Sequence, residues 1–346
     1  MISSNPYFVA EISANHCGKF ELAKKLIKCA KFNGADAVKL QTYTADTMTI
    51  KSNKEFFKIK KGLWKGYNLW KLYNEAKTPL EWHKPLFSYG KKIGITIFST
   101  PFDETAVDFL EKLKCPFYKV ASFEMTDIPL IKKIALTKKP MIISTGMASL
   151  EEIDFTVKTA RKYGAKDITL LYCVSNYPSK PSDFNLNNIK LLKKMFKCKI
   201  GLSDHSKDSR IAMASIAAGA EVIEKHIALS NQKKGLDIEF SIKGKEIKKF
   251  RDSINFAYSL LGKKNFYRNK TENKSKIFRR SIFAVKDIKK GEIFSKLNIK
   301  RIRPNYGLPP VYFEKILGKK SPKNIKKENP IRYDVLKDLK IKKIKI

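Results

Sequence analysis

The chain predicts a (β/α)8 TIM barrel followed by a small, mostly β module. Three observations carry that prediction. Eight short apolar runs rich in β-branched residues alternate with amphipathic segments, at residues 8–12, 37–40, 95–98, 117–120, 141–143, 168–174, 199–202 and 222–223. Nearly every run ends in reactive polar residues, and a barrel keeps its active site at the carboxyl ends of its strands. After about residue 276 the texture changes to short strand patterns and turn signals. An open doubly wound sheet is the competing architecture, but no GxGxxG follows the first run.

The helical segments follow from periodicity. Leu22, Leu26, Ile27, Cys29 and Ala30 form one stripe, Ile153, Val157 and Ala160 another, and Ile211, Ala214, Ser215 and Ala218 a third. Gly34-Ala35, Gly164-Ala165 and Gly219-Ala220 close three of these segments, because glycine suits the left-handed residue that ends a helix. The eighth helix is expected over residues 245–261. Two insertions interrupt the repeat, at residues 44–80, which hold Trp64, Tyr67, Trp70 and Tyr73, and at residues 229–242. The predicted domains are residues 1–264 for the barrel, 265–276 for a polar linker and 277–346 for the second module. The end, residues 340–346, reads as a last short strand or a frayed tail.

Composition narrows the function classes. No apolar stretch reaches the roughly 18 residues of a membrane span, and the first residues have no secretory signal pattern. The five dispersed cysteines lack CxxC spacing, so reduced thiols in a cytoplasmic protein are expected. The formal net charge of +38, from 71 Lys and Arg against 33 Asp and Glu, raises nucleic-acid binding as an alternative. The lysines are scattered along the chain and no recognition-helix, RNP or zinc-finger pattern accompanies them. The expectation is therefore no nucleic-acid partner and no membrane partner.

The strand ends supply the chemistry. Glu11 sits inside an apolar run, where a carboxylate is costly without partners, and is a candidate general base. His16, in the loop after it, reads equally as a catalytic or a structural histidine. Lys39 and Lys119 lie in strand runs, and two such lysines in one pocket make a phosphate or carboxylate clamp. Ser122, Ser144 and Ser175 fall on the same face and can add anion-binding hydroxyls, although any one of them alone reads as a helix cap. His205 and His226 end neighbouring runs beside Asp204 and Glu224. Two imidazoles with open positions suit a divalent metal, Mn²⁺ first, with Mg²⁺, Co²⁺ or Zn²⁺ as alternatives.

The stretches Ala10-Glu11-Ile12-Ser13-Ala14-Asn15-His16-Cys17-Gly18, Lys39-Leu40-Gln41-Thr42-Tyr43, Ser99-Thr100-Pro101-Phe102-Asp103, Ile143-Ser144-Thr145-Gly146-Met147, Gly201-Leu202-Ser203-Asp204-His205-Ser206 and Glu224-Lys225-His226 resemble the sialic acid synthase family. The last module resembles that family's antifreeze-like (SAF) domain. Within the family, the tryptophan-containing insertion and Ile302-Arg303-Pro304-Asn305-Tyr306-Gly307-Leu308 are most similar to the pseudaminic acid-forming branch. Branches forming neuraminic or legionaminic acid are the alternatives.

The resemblance implies condensation of phosphoenolpyruvate with an acylated amino sugar. For the pseudaminic branch that sugar is 2,4-diacetamido-2,4,6-trideoxy-L-altrose. It implies that Lys39, Lys119, Ser122, Ser144, Ser175 and Ser203 cradle phosphoenolpyruvate. Ser175 stands where neuraminic acid synthases usually have asparagine and Asn176 follows it, so either could make that contact. Glu11 matches the family's catalytic carboxylate, and His205 and His226 its metal ligands. Gln41, Thr100, Phe102, Glu124, Tyr177, Glu224 and Asp237 match sugar-side or metal-side positions. Arg303 matches an arginine that reaches the barrel of another subunit, which implies a domain-swapped homodimer.

Overall fold

The computed structural model describes residues 6–262 and 265–344. Eight parallel strands are hydrogen-bonded in sequence order: β1 (Tyr7–Glu11), β2 (Ala37–Thr42), β3 (Thr96–Pro101), β4 (Tyr118–Val120), β5 (Met141–Ser144), β6 (Ile168–Cys173), β7 (Lys199–Asp204) and β8 (Val222–Ala228). The sheet closes where β1 pairs with β8, Tyr7 opposite Val222 and Glu11 opposite His226. A two-residue strand, β9 (Ile242–Lys243), extends β8 beyond the barrel. The predicted closed barrel is therefore what this sequence forms.

The strands are buried on both faces, which is why they read as almost unbroken apolar runs. Their outer sides pack on helices that include Phe20–Phe32, Leu80–Ile93, Leu150–Lys162 and Lys245–Ser259. Gly34, Gly164 and Gly219 all take positive φ, at 87°, 111° and 108°, as their places at helix ends require. Ser149 caps its helix reciprocally with Glu152. Asp103 caps another by accepting from the Thr105 and Ala106 amides, so its carboxylate is engaged in the fold.

One strand runs further than its sequence suggests. The apolar run at 222–223 predicts that His226 lies past the strand end, yet β8 continues to Ala228. Period-two alternation then turns Glu224 and His226 to one side and Lys225 to the other. Lys225 is neutralised there by Asp204, at 3.0 Å, with both residues buried. That pairing lets a charged tripeptide remain a strand.

The chain divides into two compact units, at Gly262 and Lys263. In the second, residues expected as linker include a short helix, Lys270–Lys274, capped by Asn269 and supported by an Arg268–Glu272 ion pair at 3.3 Å. An antiparallel pair, β10 (Ser281–Ala284) with β11 (Ile299–Ile302), lies over a core of Ile282, Ile299, Leu308, Tyr312, Ile316, Ile331 and Val335. Two short helices, Phe313–Ile316 and Tyr333–Asp338, complete it. Beyond Lys340 the described residues form no strand; Ile344 donates its amide to Tyr312 Oη at 2.8 Å.

Candidate active site

A cavity of about 350 Å³ opens at the carboxyl face of the barrel. Lys39, Gln41, Phe102, Lys119, Ser122, Glu124, Ser144, Tyr177, Ser203, His205, Glu224, His226 and Asp237 all line it. Thirteen residues singled out from sequence thus converge on one pocket.

Its floor is an ion-pair network. Lys39 pairs with Glu11 on the adjacent strand, and Nζ of Lys39 also lies 3.6 Å from Glu224 Oε1. Lys119 approaches the same Glu224 oxygen at 3.5 Å, and Ser203 donates to it at 3.2 Å. Thr100, fully buried outside the cavity lining, accepts from Lys39 at 3.1 Å. Glu11 is likewise outside the lining; its Oε1 accepts the Ser13 amide at 2.6 Å.

The electrostatics follow from this geometry. Burial pushes the Glu11 carboxyl up, against the opposing pull of Lys39. Burial also opposes ionisation of Glu224, but Lys119, Lys39 and His205 outweigh it and hold this carboxyl below the usual range. Burial lowers Lys119, only partly offset by Glu224. Burial works against charge on Lys39 too, yet its two carboxylate neighbours keep it above the usual lysine range. Two cations share one carboxylate oxygen, leaving Glu224 Oε2 without a hydrogen bond and Lys119 with spare capacity for an anion. The buried Ser144 hydroxyl also lacks a partner among the described residues.

Beside this floor, Ser122 Oγ accepts the Gly146 amide at 3.1 Å. A Cβ at Gly146 would lie 2.1 Å from Ser175 Oγ and 2.8 Å from Ser122 Oγ, so glycine is needed for these hydroxyls to gather. Asn176 is exposed and donates to Asp183 at 3.2 Å. Of the two neighbours, Ser175 is thus the one directed toward the serine cluster.

His205, just past the end of β7, and His226, in the neighbouring β8, have ring centroids 5.4 Å apart. His205 Nδ1 is 3.1 Å from the Val174 carbonyl, which can only accept, so Nδ1 carries a proton and Nε2 is the nitrogen that a metal would take. His226 Nδ1 is buried without a hydrogen bond, 3.7 Å from Asp237 Oδ2. Among the described residues no three His, Cys, Asp or Glu side chains make a ready-formed metal cluster. Two available imidazole nitrogens nevertheless fit a divalent ion that keeps much of its water.

Asp237, from the second insertion, accepts from Ser13, and Gln41 donates to the same Ser13 hydroxyl at 3.0 Å. Burial pushes Asp237 up, and raises Glu124 from 4.5 to about 7. His16 is buried against Trp82 and Thr78, with the Gly18 amide donating to Nδ1 at 3.2 Å; it is structural. Arg303 belongs to the second unit and is exposed on it.

The cavity also uses Ser13, Tyr43, Cys173, Tyr73 and Phe240, which composition alone does not distinguish. Ser13 and Tyr43 fall within the motif stretches around Glu11 and Lys39. Cys173 sits one residue before the end of the apolar run at 168–174, and its sulfur is 3.8 Å from His205 Nδ1.

With the geometry established, comparison with known proteins is informative. A model of the NeuB family matches residues 26–266, and one of the SAF domain matches residues 279–337. The chain is 43% identical over 320 residues to pseudaminic acid synthase of Campylobacter jejuni, covering 92% of this chain and 93% of that one. It is 39% identical over 328 residues to N,N'-diacetyllegionaminic acid synthase of the same species, covering 94% and 98%. The structure of a putative spore coat polysaccharide biosynthesis protein E from Chromobacterium violaceum matches with a TM-score of 0.79 at 28% identity, over 95% of this chain and 99% of that one. No helix among the described residues is long and apolar enough to cross a membrane.

Proposed function

Because the chain belongs to the NeuB family and is an enzyme of the synthase kind, we propose that it condenses phosphoenolpyruvate with 2,4-diacetamido-2,4,6-trideoxy-L-altrose to give pseudaminic acid and phosphate. The observation that carries this reading is the cavity floor, where Lys39, held by Glu11 and Glu224, and Lys119, held by Glu224, lie beside an unpartnered Ser144 hydroxyl. Two buried ammonium groups in one cavity favour a small, multiply charged anion. The 43% identity to a pseudaminic acid synthase favours this product over the legionaminic and neuraminic alternatives.

Phosphoenolpyruvate is placed with its phosphate and carboxylate on Lys119, Lys39 and the hydroxyls of Ser122, Ser144, Ser175 and Ser203. The open-chain sugar lies toward His205, His226, Gln41, Phe102, Tyr177 and Asp237. A divalent ion on His205 and His226, Mn²⁺ first, would supply Lewis-acid polarisation of the aldehyde. The enol carbon bonds to the aldehyde carbon, whose oxygen becomes an alkoxide and, in the net reaction, gains one of the two protons of the water that adds at C2, the other leaving with phosphate. Positive charge develops at C2 and water adds there. Glu11, its affinity for protons raised by burial, takes the proton of that water once the incoming anion draws on Lys39. Collapse of the tetrahedral adduct breaks its bond from C2 to the phosphate oxygen and releases phosphate.

By the family resemblance, Arg303 serves the pocket of a second copy in a homodimer. Phosphoenolpyruvate labelled with oxygen-18 at the bridging position tests the reaction. The label should leave entirely in phosphate; label retained in the sugar acid contradicts the scheme.

A further inference from the structure

The cavity is chemically two-sided. Its charged floor is described above, but its outer wall comes from the two insertions and is apolar: Met48, Ile59, Leu72 and Leu236 line it. The wall is tied together at one point. Trp64, from the first insertion, donates its indole N–H to the Leu236 carbonyl of the second at 3.0 Å. The same indole packs on Tyr177, centroids 5.5 Å apart, and Tyr177 packs on His205 at 4.5 Å. Wall position is thereby linked to the site through two aromatic contacts. Tyr73, from the same insertion, also lines the cavity, packed edge-on against Tyr43, so the aliphatic part of the wall is Met48, Ile59, Leu72 and Leu236.

Resting on the synthase reading, the sugar's aldehyde end must meet phosphoenolpyruvate at the floor. Its far end then points to the insertions. We propose that the wall of Met48, Ile59, Leu72 and Leu236, pinned by Trp64, is the specificity element for the sugar's distal carbon, and takes a methyl group in preference to a hydroxymethyl. A hydroxyl pressed on this surface loses water and finds no partner there. An apolar pocket rejects an added hydroxyl by about 10²-fold at most.

The test compares kcat/KM for 2,4-diacetamido-2,4,6-trideoxy-L-altrose and its 6-hydroxy counterpart, identical elsewhere. The wild type should prefer the deoxy sugar by about 10- to 100-fold. Ile59→Thr should narrow that ratio by raising kcat/KM for the hydroxy sugar. Trp64→Phe, which keeps an aromatic ring but removes the N–H, should raise KM for the deoxy sugar and leave KM for phosphoenolpyruvate unchanged. Turnover of both sugars with a ratio near one overturns the wall's role while the synthase reading stands. A ratio unmoved by both variants also overturns it. Turnover of neither sugar overturns both.

Discussion

Lys119 Nζ lies 3.5 Å from Glu224 Oε1, across the barrel interior from β4 to β8. The contact is buried and shared with Lys39, so one carboxylate oxygen restrains two cations. Glu11, paired with Lys39, and Glu224 together balance the two lysines, so a bound anion would have to draw Lys119 away from Glu224. In the proposed reaction that anion is phosphoenolpyruvate.

Lys119→Met should therefore weaken phosphoenolpyruvate use selectively. Loss of a charge-assisted hydrogen bond costs about 1.5–3 kcal/mol, so KM for phosphoenolpyruvate should rise by about 10- to 100-fold. KM for the sugar should change little. Steady-state kinetics with each substrate varied in turn check this; an equal loss for both would place Lys119 in the fold and not in the anion site.

The Glu11–Lys39 pair makes a stability prediction. Both groups are buried, and removing one partner strands a charge. Lys39→Met should cost about 3–5 kcal/mol, and adding Glu11→Gln should restore part of that loss. Denaturant unfolding of the barrel measures both. Additive losses in the double variant would show that the pair is not coupled.

Glu124 should make sugar use pH-dependent. Burial raises its carboxyl from 4.5 to about 7, so it is protonated below that range and can donate to a sugar acceptor. KM for the sugar should rise as pH passes through about 7, and Glu124→Gln should flatten that rise. The stability sign agrees. A carboxyl with a raised folded value stabilises most below its unfolded value and loses that contribution as pH increases through the folded one. Relative to Glu124→Gln, the wild type should lose thermal stability as pH rises from 4.5 to about 7. A parallel pair of melting curves against pH would remove Glu124 from this account.

Metal removal should abolish turnover. Chelation followed by dialysis should leave a folded, inactive protein, with Mn²⁺ restoring activity to the wild type. In His226→Ala, Mn²⁺ binding followed by calorimetry should weaken by at least about tenfold, since each nitrogen ligand contributes strongly to a site with few protein ligands. Unchanged Mn²⁺ affinity would assign the metal elsewhere.

The fold was legible because barrel strands buried on both faces leave compact apolar runs, and the runs at 37–40 and 199–202 each sit inside an observed strand. Strand length was less legible. Glu224, Lys225 and His226 look like a loop in one dimension, and Asp204 on the neighbouring strand, with the Ser206 carbonyl just beyond it, explains how Lys225 can remain in β8. The floor residues were readable as ionisable groups within apolar runs. Their connectivity was not, because the meeting of Lys39, Lys119 and Glu224 depends on barrel closure. Met48, Ile59 and Leu72 were not readable as site residues at all. They are ordinary aliphatics in an insertion, and become a wall only when Trp64 reaches the second insertion.

The most direct measurement is phosphate release from phosphoenolpyruvate by the purified protein with Mn²⁺. It should be run with 2,4-diacetamido-2,4,6-trideoxy-L-altrose and with N-acetylmannosamine, each with and without chelator. Release is expected with the altrose alone, and chelation should abolish it. Release with N-acetylmannosamine instead would contradict the proposed product, and no release with either sugar from folded, Mn²⁺-loaded protein would contradict the synthase reading of the pocket.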